Sequence, residues 1–233
     1  MIEKCQIGII GALDDEVMEL IGRLEGRKQI TTGGITFYYG DIFGKRVVVA
    51  KCGVGKVFAA LTAEAMILNF APDLIVNSGV GGALLKTLRP LDIVFADKMV
   101  QHDMDTSPLG DPVGLISGIN KVYFECDARA VKLLSEAAAV LGVKYEMGIV
   151  ATGDKFVCSG EDKERISTTF GAVACEMEGG AIAQVSFVNG IPFSVIRAIS
   201  DSADGEANMD YTEFLPRAVK VSFALTLELI KRY

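Results

Sequence analysis

Gln6–Leu24, QIGIIGALDDEVMELIGRL, is the stretch whose reading decides the fold. The uncharged run QIGIIGA closes on a small residue after glycine, as a strand buried on both faces does. Asp14, Asp15 and Glu16 follow at once. Acids favour the positive end of a helix dipole. Asp14 or Asp15 is placed to cap a helix over Glu16–Leu24, in which Val17, Leu20 and Ile21 share one face. A buried strand that feeds directly into an amphipathic helix is the repeating unit of an α/β domain.

The rest of the chain continues the alternation. Thr36–Ile42 and Lys45–Lys51 form a hairpin around Phe43-Gly44, and a helix follows over Lys56–Phe70. Asp73–Gly79 is a buried strand that ends in a glycine-rich bend, and Asp92–Ala96 is another strand. Residues 103–120, rich in Asp, Pro and Gly, form a long loop. A helix over Ala128–Leu141 precedes strand Tyr145–Ala151, and helix Asp162–Thr168 precedes strand Ala172–Cys175. Helix Gly180–Phe187, strand Pro192–Ile199 and helix Glu213–Lys231 complete the series. The pattern predicts a single α/β domain over residues 1–233, with a central mixed, twisted β-sheet flanked by helices. Sites in such sheets lie at the carboxyl ends of strands. That rule selects Glu16, Gly79–Gly82, Phe156, Glu176–Glu178 and Ser200–Asp204.

The composition narrows the chemistry. The chain has 233 residues, 30 acidic and 23 basic, for a net charge of −7. A chain of this length buries roughly 70–75% of its unfolded surface, so no disulfide or metal staple is needed. The negative charge disfavours nucleic acid as a partner. No apolar run reaches the roughly 18 residues of a membrane span. Glu64 and Asp73 interrupt the longest one, Phe58–Ile75. MIEKCQIGII does not have the layout of a secretory leader. Cys5, Cys52, Cys126, Cys158 and Cys175 are odd in number and lack CxxC spacing, which suits reduced thiols of the cytoplasm. His102 is the only histidine, so a multi-histidine zinc site is excluded, and acid–base work falls to carboxylates.

Three carboxylate segments stand out. Glu16 sits at a strand-to-helix turn, where capping and chemistry are both open readings. In CEMEGG, Glu176 and Glu178 are two apart and point the same way in extended chain. They can grip a diol through hydrogen bonds from its hydroxyls, or serve as one exposed acid and one helix cap. In RAISDSAD, Arg197 lies within an apolar strand and needs a carboxylate partner such as Glu16 or Glu178. Asp201 emerges at the strand's end beside Ser200 and Ser202, where its proton affinity can be tuned. Gly79–Gly82 and Gly53–Lys56 allow close backbone approach to a ligand. Neither matches a dinucleotide or ATP phosphate loop, so no such cofactor is expected.

GIIGALDDEV, KCGVGKVFAA, VNSGVGGAL, the HDMD loop, TGDKFV, CEMEGGAIA and RAISDSADG occur in this order from residue 8 to 205. The ordered set resembles the 5′-methylthioadenosine/S-adenosylhomocysteine nucleosidases of the purine and uridine phosphorylase superfamily. That resemblance implies a nucleoside phosphorylase-like fold and a cytoplasmic, homodimeric hydrolase of methionine salvage. The enzyme would cleave the N-glycosidic bond of 5′-thioadenosines with water as co-substrate and without cofactor or metal. By the same resemblance Asp201 protonates adenine N7, and Glu16 orients or activates the water. Glu178 and the Met177 backbone hold the ribose hydroxyls, with Arg197 near the water and Ser200 beside the acid. Phe156 stacks on adenine, while the Val157 backbone reads its edge. Leu13, Val54 and Tyr211 line the pocket for the 5′ substituent, and Thr106 and Leu109 reach the neighbouring subunit's site. Many members carry serine at the position of Val80, where it helps bind the water; valine has no hydroxyl to do so. A futalosine-type nucleosidase and a phosphate-dependent purine nucleoside phosphorylase are the alternatives. A phosphate site needs cationic donors, and the turns here offer mainly acids, with Arg197 and Lys56 as the nearby bases.

Overall fold

Ten β-strands and six α-helices order the described residues of the computed structural model, which are 2–201 and 207–233, with the backbone alone for 207–213. The strands are β1 (Ile7–Gly11), β2 (Glu25–Thr32), β3 (Ile35–Ile42), β4 (Lys45–Lys51), β5 (Leu74–Ala83), β6 (Ile93–Gln101), β7 (Tyr123–Glu125), β8 (Tyr145–Thr152), β9 (Ala172–Glu176) and β10 (Phe193–Asp201). The helices are α1 (Asp14–Arg23), α2 (Lys56–Phe70), α3 (Ala128–Leu141), α4 (Gly160–Phe170), α5 (Gly179–Asn189) and α6 (Ala207–Arg232).

The strands form one mixed sheet, as the alternation predicts. β1 lies between β4 and β5 and is parallel to both. The β3–β4 hairpin turns at Phe43 and Gly44, both with positive φ, the conformation a two-residue hairpin needs. At the other end, β5, β9, β8, β6 and β10 pair in a closed circuit, because β10 bonds to both β6 and β5. Closure removes the strand edges there.

Alternation along β1 explains the layers. Ile7 and Ile9 pack with Val17, Leu20 and Ile21 of α1 and with Leu225 and Leu229 of α6. Ile10 faces the opposite side, with Met66 and Phe70 of α2 and Ile182 of α5. Against β8 and β9, α4 lays Ile166 and Phe170 on Ala151 and Ala172. Ser78 of β5 bonds to Ser222 (2.7 Å) and Thr226 (2.8 Å), which fixes α6 on the sheet through buried hydroxyls.

Four differences from the sequence reading have physical causes. First, β2 and β7 were not anticipated. EGRKQITT is mostly exposed and stays in the sheet through its ladder with β3, so no apolar run marks it. Second, Gly79–Gly82 is not a bend: it continues β5, held by parallel pairing with β10 as far as Gly82. Third, the cap of α1 is Leu13; Asp14 instead pairs with Lys51 at 2.8 Å. Fourth, β6 extends to Gln101, and α6 begins upstream of Glu213 and carries Pro216 inside it.

A Cβ on Gly40 of β3 would lie 2.5 Å from the Glu25 carbonyl oxygen, where the β2–β3 register is irregular. Backbone cannot yield as a side-chain tip can, so Gly40→Ala is expected to lower stability by about 1–3 kcal/mol. Denaturant unfolding measures it; an unchanged midpoint would mean that β2 moves aside freely.

Candidate active site

A cavity of about 370 Å³ opens where the carboxyl ends of β1, β5, β9 and β10 converge. From the β1–α1 turn come Leu13 and Glu16, and from β5 comes Val80. Phe156 and Val157 follow β8, Met177 and Glu178 follow β9, and Ser200 and Asp201 end β10. Val54 reaches the rim from the turn before α2.

Glu16 is buried, and its carboxylate folds back on its own turn. The N–H groups of Ala12 (2.6 Å) and Leu13 (3.0 Å) donate to Oε2, and the Val80 N–H donates to Oε1 (3.1 Å). Burial raises its pKa above the usual carboxylate range, while these donors and the charge of Arg197 pull the other way.

The two acids of CEMEGG separate. Glu176 is taken up by the protein itself. It accepts from Thr152 Oγ1, from Arg197 Nη2 and from the N–H groups of Glu178 (2.9 Å) and Gly179 (2.7 Å) at the start of α5. Burial opposes its ionisation, yet Arg197 and these donors hold its pKa below the usual value. Glu178 faces the cavity and accepts from the Gly55 N–H at 2.8 Å. Burial and then the charge of Glu176 push its pKa up to about 7. Gly55 has φ +99°, which suits glycine. Lys56 continues the clamp, donating through its N–H to Asp154 (2.8 Å) and pairing with Asp103 (2.7 Å).

Arg197 therefore pairs with neither Glu16 nor Glu178, the partners proposed from the sequence. Its guanidinium is buried and bonds to Glu176, to the Asn77 side chain and to the Asn77 (3.1 Å) and Ile196 (2.8 Å) carbonyls. It lies beneath the cavity rather than in its lining.

Asp201 is the last residue of β10, after a bulge in which Ser200 is the extra residue against Gly81–Gly82 of β5. Bulges re-aim side chains beside sites. Ser200 Oγ donates to Oδ1 at 3.0 Å, and the Lys163 ammonium lies 3.3 Å from Oδ2. Lys163 was missed in the sequence reading. Its signal was spacing, since 163, 166 and 170 share the buried face of α4.

The glycines of β5 explain how these groups fit. A Cβ on Gly79 would lie 2.4 Å from Glu16 Oε1. One on Gly81 would lie 3.4 Å from the Arg197 stem and 3.0 Å from the Cys175 carbonyl, and one on Gly82 would lie 2.9 Å from Asp201 Oδ2. The segment makes room for the protein's own charged groups.

Other expected residues lie elsewhere. Thr106 bonds to Asp111 at 2.8 Å, and Leu109 is 84% exposed; neither lines this chain's cavity. The side chain of Tyr211 falls outside the described residues, as do Ser202 and Asp204. His102 is buried with Gly153 against its ring and does not line the cavity. Among the described residues no group of three or more His, Cys, Asp or Glu is arranged to hold a metal, and no helix is long and apolar enough to cross a membrane.

Residues 6–231 match the phosphorylase superfamily. A 5′-methylthioadenosine/S-adenosylhomocysteine nucleosidase of Shewanella halifaxensis is 37% identical, over 97% of this chain and 99% of that one. An aminodeoxyfutalosine nucleosidase of Campylobacter jejuni is 33% identical, with 97% and 99% covered. The crystal structure of the 5′-methylthioadenosine/S-adenosylhomocysteine nucleosidase of Neisseria meningitidis, in complex with methylthio-immucillin-A, superposes with a TM-score of 0.94. It is 34% identical, with 98% of this chain and 99% of that chain covered.

Gly79→Ala is expected to displace the Glu16 carboxylate while the strand stays paired. Misplacement by about 1 Å costs a site on the order of 100-fold in rate. Gly22→Ala, whose Cβ meets nothing within 4 Å, is the control. Comparing turnover of the two purified variants is the measurement; equal rates would show that Glu16 is not held by this packing.

Proposed function

Since the chain belongs to the phosphorylase superfamily and to its 5′-methylthioadenosine/S-adenosylhomocysteine nucleosidases, we propose that it hydrolyses the N-glycosidic bond of these two nucleosides. The products are adenine and the thioribose. The observation that carries this reading is Glu16, Glu178 and Asp201 around one cavity, two of them with raised pKa values, opposite an apolar rim.

Departure of a purine develops cationic character at C1′ and negative charge on the base. Asp201 gives its proton to adenine N7 as the C1′–N9 pair moves onto the base. Glu16, whose pKa burial raises, holds the water that bonds to C1′ and takes the proton it loses. Two carboxyls thus work on opposite sides of the scissile bond, as in inverting glycosidases. Glu178 accepts from the ribose hydroxyls beside the Met177 backbone. Arg197 acts through its charge on Glu16 and Glu178 from beneath the cavity. Phe156 stacks on the base, the Val157 backbone reads its edge, and Leu13, Val54 and Tyr211 surround the 5′ substituent.

Water rather than phosphate is the co-substrate. Among the described residues lining the cavity the only cation is Lys155, whose ammonium pairs with Asp162 at 2.6 Å. Arg197 and Lys163 are committed to Glu176 and Asp201. The Campylobacter relative favours a second reading, a futalosine-type nucleoside with the same glycosidic chemistry. Val80, at the usual serine position, leaves the water to Glu16.

The enzyme works as a homodimer in the cytoplasm and serves methionine salvage. Val54, Val57, Phe58 and Leu61 are each more than half exposed at spacings of three, four and seven, and Leu68 extends the row. Apolar surface of this kind marks an interface. A second copy covers it, and the 103–120 loop, with Thr106 and Leu109, then reaches the neighbouring site.

Adenine release from methylthioadenosine, adenosylhomocysteine and aminodeoxyfutalosine, with and without phosphate, is the direct test. Release is expected without phosphate, and Asp201→Asn is expected to lose about 100- to 10,000-fold in rate while still binding nucleoside. A strict phosphate requirement with a ribose 1-phosphate product would overturn hydrolysis. For assembly, Leu61→Arg is expected to give monomers in light scattering, with impaired turnover; a retained dimer would place the interface elsewhere.

A further inference from the structure

Lys163 is the one charged residue on the buried face of α4, beside Ile166 and Phe170, and is 2% exposed. A lysine is rarely placed there, because burying an ammonium is costly unless it is paired. Its partner is the Asp201 carboxylate, 2% exposed and 3.3 Å away. A buried pair of this kind is weak evidence of stabilisation, since apolar side chains of similar volume often do as well. Position 163 already has an apolar setting, so the ammonium's use lies with the group it faces.

Among the described residues that group sits between two supports. Lys163 approaches Oδ2 from α4, and Ser200 donates to Oδ1 from β10. Gly82 of β5 closes the third side without a side chain. Among the described residues the other titratable groups nearby are the Cys175 thiol and Glu176 on β9; Lys155, Glu16 and Glu178 line the same cavity. We propose that Lys163 is a positioning residue for the reaction, its ammonium fixing the plane of the Asp201 carboxyl and strengthening it as an acid toward the purine. This rests on the hydrolytic reading, in which the Asp201 proton passes to N7, the C1′–N9 bond breaks and the water oxygen bonds to C1′. After each turnover Asp201 regains a proton from solvent while Glu16 releases one. A cation beside Asp201 favours the delivery and makes the regain harder as pH rises.

The test follows the Asp201 carboxyl by 13C NMR titration, its resonance assigned by loss in Asp201→Asn, alongside the pH profile of kcat/KM. Lys163→Met is expected to raise the Asp201 midpoint by about one to three pH units and to move the alkaline limb of kcat/KM upward with it. Lys163→Arg, which keeps the charge, is expected to hold both. Lys163→Gln provides a neutral polar variant should the methionine prevent folding. A midpoint that moves by less than about half a unit in both neutral variants overturns the proposal, as does a drop in turnover with an unmoved alkaline limb. If the wild type releases no adenine from any of the nucleosides, the hydrolytic reading fails by itself, and the carboxyl titration still decides whether Lys163 governs Asp201.

Discussion

The Gly79–Gly82 end of β5 carries three glycines where a strand ordinarily carries side chains, and charged groups from three other places occupy that volume. Glu16 fills the space over Gly79, the Arg197 stem passes over Gly81, and Asp201 lies against Gly82. The backbone of the segment is ordinary strand, paired with β10 along its length. Its ladder holds the sheet together, while its missing side chains let Glu16 and Asp201 converge on one cavity with Arg197 beneath it. Remove the space and either the sheet or the site must give way, so fold and chemistry share a single constraint.

Convergence of like charges has a cost that the interior offsets unevenly. Glu176 is neutralised completely, by a guanidinium, a hydroxyl and the start of α5. Among the described residues Asp201 has an ammonium and a hydroxyl. Glu16 and Glu178 have mainly backbone N–H donors, and their pKa values are raised. Glu176 on one side and Glu16 and Glu178 on the other thereby acquire different proton affinities from their surroundings alone. Such separation is what acid–base chemistry at neutral pH requires of a site without histidine.

Much of the fold was legible because it rests on local rules. The apolar run before three acids announces β1 and α1, and Phe43-Gly44 between alternating segments announces the β3–β4 hairpin. β2 escaped because an edge strand with little buried surface needs no apolar pattern, and its stability comes from a ladder that local sequence does not display. Closure of β5, β9, β8, β6 and β10 escaped because it depends on which strands meet after the chain has turned back several times. At the site, the acids were legible as acids at strand ends. Their partners were not: Arg197 is 21 residues from Glu176 and Lys163 is 38 from Asp201.

By itself the sequence determined the alternation of strands and helices, the absence of a second histidine and the placing of Glu16, Glu178 and Asp201 at or just beyond the carboxyl ends of strands. These follow from hydrophobic period, residue count and chain direction, all of which are local. Only the tertiary structure decided that Glu176 is a counterion while Glu178 faces the cavity, that Arg197 lies beneath it, and that Lys163 stands behind Asp201. The reason is that a buried charge takes the partner that packing brings within a few ångströms, and that distance is set by the assembled sheet and helices rather than by spacing along the chain.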